Sequence, residues 1–113
     1  MIELSDFDKY QVEARETAIY PNLGGNLWYP ALDLAREADE VAEKIKKIYR
    51  DDNGTVNEDK RSKLYFELGD VLWYVANIAT ELGLSLSCIA EDNLRKLAMR
   101  KSQDKLHGSG DSR

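Results

Sequence analysis

The chain has 113 residues, room for one domain and too few for two. Its 21 acidic and 16 basic side chains leave a net charge of −5, which argues against duplex nucleic acid as a partner, because duplex binders carry a basic footprint. No apolar run is long enough to span a bilayer, no signal-peptide pattern opens the chain, and the lone Cys88 has no partner for an intramolecular disulfide, so a reducing, cytoplasmic setting is expected, with no membrane partner.

In chain order, Ser5 has the chemistry of an N-cap for a first helix running to Thr17, with Phe7, Tyr10, Ala14 and Thr17 recurring at helical spacing. The two prolines, Pro21 and Pro30, bracket a loop that ends in Trp28 and Tyr29. Pro30 suits the first turn of a second helix reaching Arg50. After the Asp51-Asp-Asn-Gly54 turn, Thr55 and Glu58 have capping-box spacing for a third helix that stops at Gly83. Ser85 then caps a fourth, stapled by Leu84 and Ile89, that fades near Lys101. No segment alternates with the period of a half-buried strand. Four helices with short connections predict an antiparallel bundle over residues 1–104, followed by a flexible tail over residues 105–113.

The second and third helices carry one pattern, offset by thirty positions. Leu34, Val41, Ile45 and Ile48 in one match Leu64, Val71, Val75 and Ile78 in the other, giving each an apolar stripe. Each helix also bears an acidic pair three residues apart on the flank of its stripe: Glu37 and Glu40, then Glu67 and Asp70. A carboxylate at the border of a core is costly unless something positive stands nearby. Antiparallel packing through the stripes would bring four such groups to one edge, where their mutual repulsion calls for a cation. With only hard oxygen donors and no His or Cys at ligand spacing, Mg²⁺ fits, with Mn²⁺ as a substitute, and zinc does not. The bland reading of the same residues is a solvated acidic surface.

The stretch Glu37-Ala-Asp-Glu40-Val-Ala-Glu43-Lys-Ile-Lys-Lys47, with Glu67-Leu-Gly-Asp70-Val-Leu-Trp-Tyr74, resembles the MazG-type nucleoside triphosphate pyrophosphohydrolases. The likeness extends to Tyr10-Gln11, to Asn93-Leu-Arg-Lys96-Leu and Arg100, and to the closing Gly108-Ser-Gly-Asp-Ser-Arg113. It implies an all-α, four-helix bundle completed by oligomerisation, as a homodimer or homotetramer. It also implies hydrolysis of a nucleoside triphosphate to the monophosphate and pyrophosphate, with dGTP and dCTP as favoured substrates. By position, the resemblance makes Glu37, Glu40, Glu67 and Asp70 the metal ligands, with Glu37 or Glu40 also placed to accept the proton of the attacking water. Lys44, Asn93, Lys96 and Arg100 become candidate phosphate contacts, with Lys47 and Arg113 behind them. Tyr74, on the face of Glu67 and Asp70, and Trp28 are candidates for stacking on the base. Trp73 is expected to serve packing or subunit contact, and His107 to be incidental. One departure stands out: the family often has a second acid just before Glu37, where this chain has Arg36. On a helical wheel Arg36 points away from the acidic face. Two other readings are a phosphoribosyl-ATP pyrophosphohydrolase and a non-enzymatic helical module that binds a basic partner.

Overall fold

A computed structural model describes residues 4–103, with side chains from residue 6 onward. The described residues form four helices and no strands: α1 (Leu4–Glu16), α2 (Trp28–Asp52), α3 (Glu58–Glu81) and α4 (Leu86–Ser102). The expected all-α architecture holds. The tail over residues 105–113, with His107 and Arg113, lies outside the described residues. None of the four helices alone is long and apolar enough to cross a membrane.

Helix ends differ from the sequence expectations where local chemistry offered a second choice. Ser5 already lies inside α1. α2 begins two residues before Pro30, which still falls in the first turn, where its missing N–H costs nothing. α3 is capped by Asn57, not Thr55: the Asn57 side chain accepts from the backbone N–H of Lys60 at 2.9 Å, and Glu58 is the first helical residue. Gly83, at φ +71°, and Ser85, accepting from the Cys88 N–H at 3.2 Å, end α3 and start α4 as expected. The chain turns by 105° between these two helices.

α2 and α3 form an antiparallel hairpin closed by Asn53 (φ +56°) and Gly54 (φ +80°), whose N–H returns to the Ile48 carbonyl at 3.1 Å. A Cβ at Gly54 would meet the Tyr49 ring at 2.9 Å, so both the backbone and the space require glycine. α1 crosses α3 and also supports α4. The best-buried cluster is at that junction, where Ala14, Ala76 and Leu86 pack with Phe7, Tyr10, Trp73 and Val75. Buried Gln11 ties the three helices together: its amide donates to Thr80 Oγ1 (3.0 Å) and to the Leu84 carbonyl (2.9 Å), and it accepts from the Leu86 N–H (2.8 Å).

The loop between α1 and α2 is anchored on Glu81. One Glu81 oxygen accepts from Arg15 (2.9 Å), the Tyr20 hydroxyl (2.5 Å) and the Gly24 N–H (3.0 Å), and the other accepts from the Asn26 N–H (3.2 Å). Burial pulls the Glu81 carboxyl upward, but these four donors outweigh it and hold it at about 2. Tyr20 stacks on Tyr29 at 5.2 Å between ring centres, which sets the entry to α2.

The stripes of α2 and α3 are less buried than their pattern predicts. Ile48 is fully enclosed, whereas Leu34, Val41, Leu64 and Val71 are only half-buried. Ala38, Ala42, Ile45 and Tyr49 on α2 are exposed, as are Tyr65, Leu68 and Leu72 on α3. The antiparallel pairing puts both exposed rows on one side of the hairpin. Among the described residues no element covers that side.

Candidate metal centre and adjoining clefts

The hairpin sets acids and bases in register. Tyr74 donates its hydroxyl to Asp33 at 3.2 Å, and Lys44 pairs with Glu67 at 3.2 Å. Between these rungs, Glu37, Glu67 and Asp70 each present a carboxylate oxygen within 4.8 Å of the others. Glu37 is 7 % exposed, and Asp70 faces solvent. The order of depth follows the flank positions read from the sequence: Glu37 and Glu67 lie nearer the stripe than Glu40 and Asp70.

The second oxygens of Glu37 and of Glu67 are buried with no hydrogen-bond donor. Burial, the hydrogen bond with Glu67, and the charges of Glu40, Glu67 and Asp70 together push Glu37 up to about 7. Glu67 is held below the ordinary carboxylate range, chiefly by its hydrogen bond with Glu37 and, against burial, by Lys44 and Glu40. Acids set this close disfavour one another's charge, which a multivalent cation would relieve. Three carboxylates with two orphaned buried oxygens fit a hard divalent ion, and nothing softer is offered among them.

Glu40 stands one turn further along α2, outside the tight trio, and Arg36 Nη1 lies 3.4 Å from it. Arg36 does not point away as the helical wheel predicts. Its guanidinium spans Asp33 (3.4 Å), Glu37 (3.3 Å) and Glu40 (3.4 Å). Asp33 and Glu40 lie three and four positions from Arg36, so on the wheel they are its surface neighbours, about 60° and about 40° away; only Glu37, about 100° away, needs the reach of the long side chain.

Beside the carboxylates opens a cleft of about 440 Å³, lined by Thr17, Glu37, Asp70, Trp73 and Tyr74. Tyr74 is where its face predicts, and burial together with Asp33 pushes its phenol up to about 12. Trp73 packs against the core cluster, as expected, and has a second role beside it. It lines the cleft, with its indole N–H donating to Thr17 Oγ1 at 2.8 Å and its ring edge-on to Tyr74 at 4.9 Å. Tyr10 also stands here: burial, then the charge of Asp70, raises its phenol. Asp33, Thr17 and Tyr10 were missed in the sequence, although Asp33 precedes Glu37 by one helical turn and so shares its face.

Other predicted contacts are not brought together. Trp28 is 73 % exposed and lines a separate cleft with Leu27 and Ala31. Asn93 is exposed, Lys96 is half-buried and Arg100 is 5 % exposed, on a helix that packs against α1; none of the three lines the carboxylate cleft. Arg100 is buried and already engaged.

The MazG nucleotide pyrophosphohydrolase domain matches residues 31–103, which include all four acids. The chain belongs to this family. It is also 45 % identical over 111 residues to the "Gene 37 protein" of Mycobacterium phage L5, covering 94 % of this chain and 97 % of that protein. No solved structure matches. The MazG domain match begins within α2, so α1 and the loop, with Tyr10, Thr17 and the four groups that Glu81 gathers, lie ahead of it.

Proposed function

We propose that this MazG protein hydrolyses nucleoside triphosphates to the monophosphate and pyrophosphate, with dGTP and dCTP as the first substrates to test. The observation that carries the reading is the trio Glu37, Glu67 and Asp70, with orphaned buried oxygens, two of whose members, Glu37 and Asp70, line a cleft walled by Trp73 and Tyr74. A solvated acidic face would leave no carboxylate buried without a donor.

Glu37, Glu67 and Asp70 hold Mg²⁺, or Mn²⁺ in its place. When bound, such an ion neutralises phosphate charge and acidifies the attacking water. Glu40, at the rim and more open to solvent than Glu37, completes the acidic edge and accepts the water's proton. Trp73 and Tyr74 offer the base a flat apolar wall, and Asp33 orients the Tyr74 hydroxyl. Positioning and charge neutralisation account for most of catalysis in phosphoryl chemistry, which matches a site built of carboxylates and aromatic walls. The protein works in the cytoplasm as a homodimer or homotetramer, in which a second copy covers the exposed rows of α2 and α3. Residues 1–104 form the catalytic domain.

Each nucleoside triphosphate is incubated with the folded chain and Mg²⁺, with and without EDTA, and both products are quantified. Equal amounts of monophosphate and pyrophosphate, abolished by EDTA, are expected. Release of single phosphates, or no turnover of any triphosphate, would sink the reading.

A further inference from the structure

Past the carboxylates, the same groove of the hairpin changes sign. Lys44, Lys47, Lys60 and Lys63 line a cleft of about 190 Å³ floored by Ile48. Lys44 belongs to both regions, since its ammonium pairs with Glu67 at 3.2 Å. Along α2, Lys44 lies one turn beyond Glu40, about 6 Å of axial rise, and Lys47 is almost one turn further.

We propose that this four-lysine cleft is an anion site that receives the pyrophosphate end of the nucleotide. The substrate then lies along the hairpin, with its base at Trp73 and Tyr74 and its terminal phosphates over the lysines. The proposal rests on the triphosphate reading above and gives it a direction.

Size separates the two ends. About 440 Å³ lies within the range of small-molecule pockets, whereas about 190 Å³ falls below it and suits phosphate groups rather than a nucleoside. Charge separates them too. Lys47 makes no ion pair among the described residues, and its influence is felt only at Asp51, whose carboxyl it helps to hold down after Arg50 and Lys60. Lys60 pairs with Asp52, and Lys63 with Asp59 at 3.1 Å on an exposed turn. The Lys60 pair is half-buried, whereas the exposed Lys63 pair is weak and screened and yields to a multiply charged phosphate chain. Lys44 keeps its pair with Glu67 while no cation is bound, so Lys47, Lys60 and Lys63 carry the site under metal-free conditions.

The test is calorimetric binding of inorganic pyrophosphate, and separately of dGMP, to the full chain in EDTA. The variants are Lys47→Gln alone and together with Lys63→Gln, with circular dichroism to verify folding. The double variant is expected to bind pyrophosphate about tenfold more weakly, as befits lost charge-assisted hydrogen bonds. Its dGMP affinity should be unchanged, and Lys47→Arg should bind pyrophosphate as the unsubstituted chain does. Equal pyrophosphate affinity in the double variant, or an equal loss for dGMP, overturns the proposal. Failure of the triphosphate reading shows separately, as no hydrolysis by the unsubstituted chain in Mg²⁺.

Discussion

Glu37 concentrates the chemistry of the site in one residue: a carboxylate nine-tenths enclosed, beside three other acids, with one oxygen lacking any donor. Replacing it by Gln removes charge without changing shape. Measured in EDTA at pH 8, the melting temperature of Glu37→Gln should rise by about 3–5 °C, because a buried repulsive charge is gone. Mg²⁺ should stabilise the unsubstituted chain and leave the variant unmoved. A variant that loses stability, or still responds to Mg²⁺, would remove Glu37 from the metal site. The acidic pairs were legible because helical spacing sets their direction, and their flank positions correctly ranked their depth. Arg36 was misread, because measured from Glu37 alone it lies off the acidic face, whereas its spacing of three and four from Asp33 and Glu40 already makes it their neighbour.

At the level of helices and their connections, the capping of α3 shows how neighbours compete for one role. Thr55 and Glu58 have the right spacing, but Asn57 is an equally good cap and sits directly before the first helical residue. Asn57→Ala should cost about 1 kcal/mol in urea unfolding. Thr55→Ala should stay within about 0.5 kcal/mol, as surface changes usually do. A reversed order would restore Thr55 as the cap.

The anchor of the α1–α2 loop makes a second prediction. Glu81 is held at about 2 in the fold against an ordinary 4.5. A carboxyl lowered by folding stabilises the folded state above its unfolded value. That contribution fades as pH falls from 4.5 towards 2. Thermal melts across this range should show the unsubstituted chain losing stability more steeply than Glu81→Gln, and parallel curves would deny the anchor its role. Nothing in the sequence marked Glu81, since its four donors come from residues 55 to 66 positions away.

For the molecule as a whole, the stripes predicted packing, and the chain delivers only part of it. Ala38, Ala42, Ile45 and Tyr49 on α2, with Tyr65, Leu68 and Leu72 on α3, form an exposed apolar side opposite the acids and lysines. Surfaces of this kind mark association. Light scattering should give an oligomer for the unsubstituted chain and a monomer for Leu68→Asp combined with Leu72→Asp. A monomer at micromolar concentration before substitution would leave this side without a partner copy. The four-helix plan was readable from periodicity and punctuation. The placement of the best-buried cluster at α1, α3 and α4 was not, because it depends on the 105° turn after α3 and on Gln11 bridging three helices.

The hydrogen bond from Trp73 to Thr17 ties one wall of the cleft beside the carboxylates to the end of α1, ahead of the MazG domain match. The matched residues, 31–103, hold every acid and every lysine of the groove. The segment ahead of them supplies Tyr10, the Thr17 tether and the loop that Glu81 gathers, and through Ala14 and Gln11 it also builds the best-buried cluster. A chain trimmed to the match should therefore lose the core together with one wall of the cleft, which makes the preceding segment part of the folding unit.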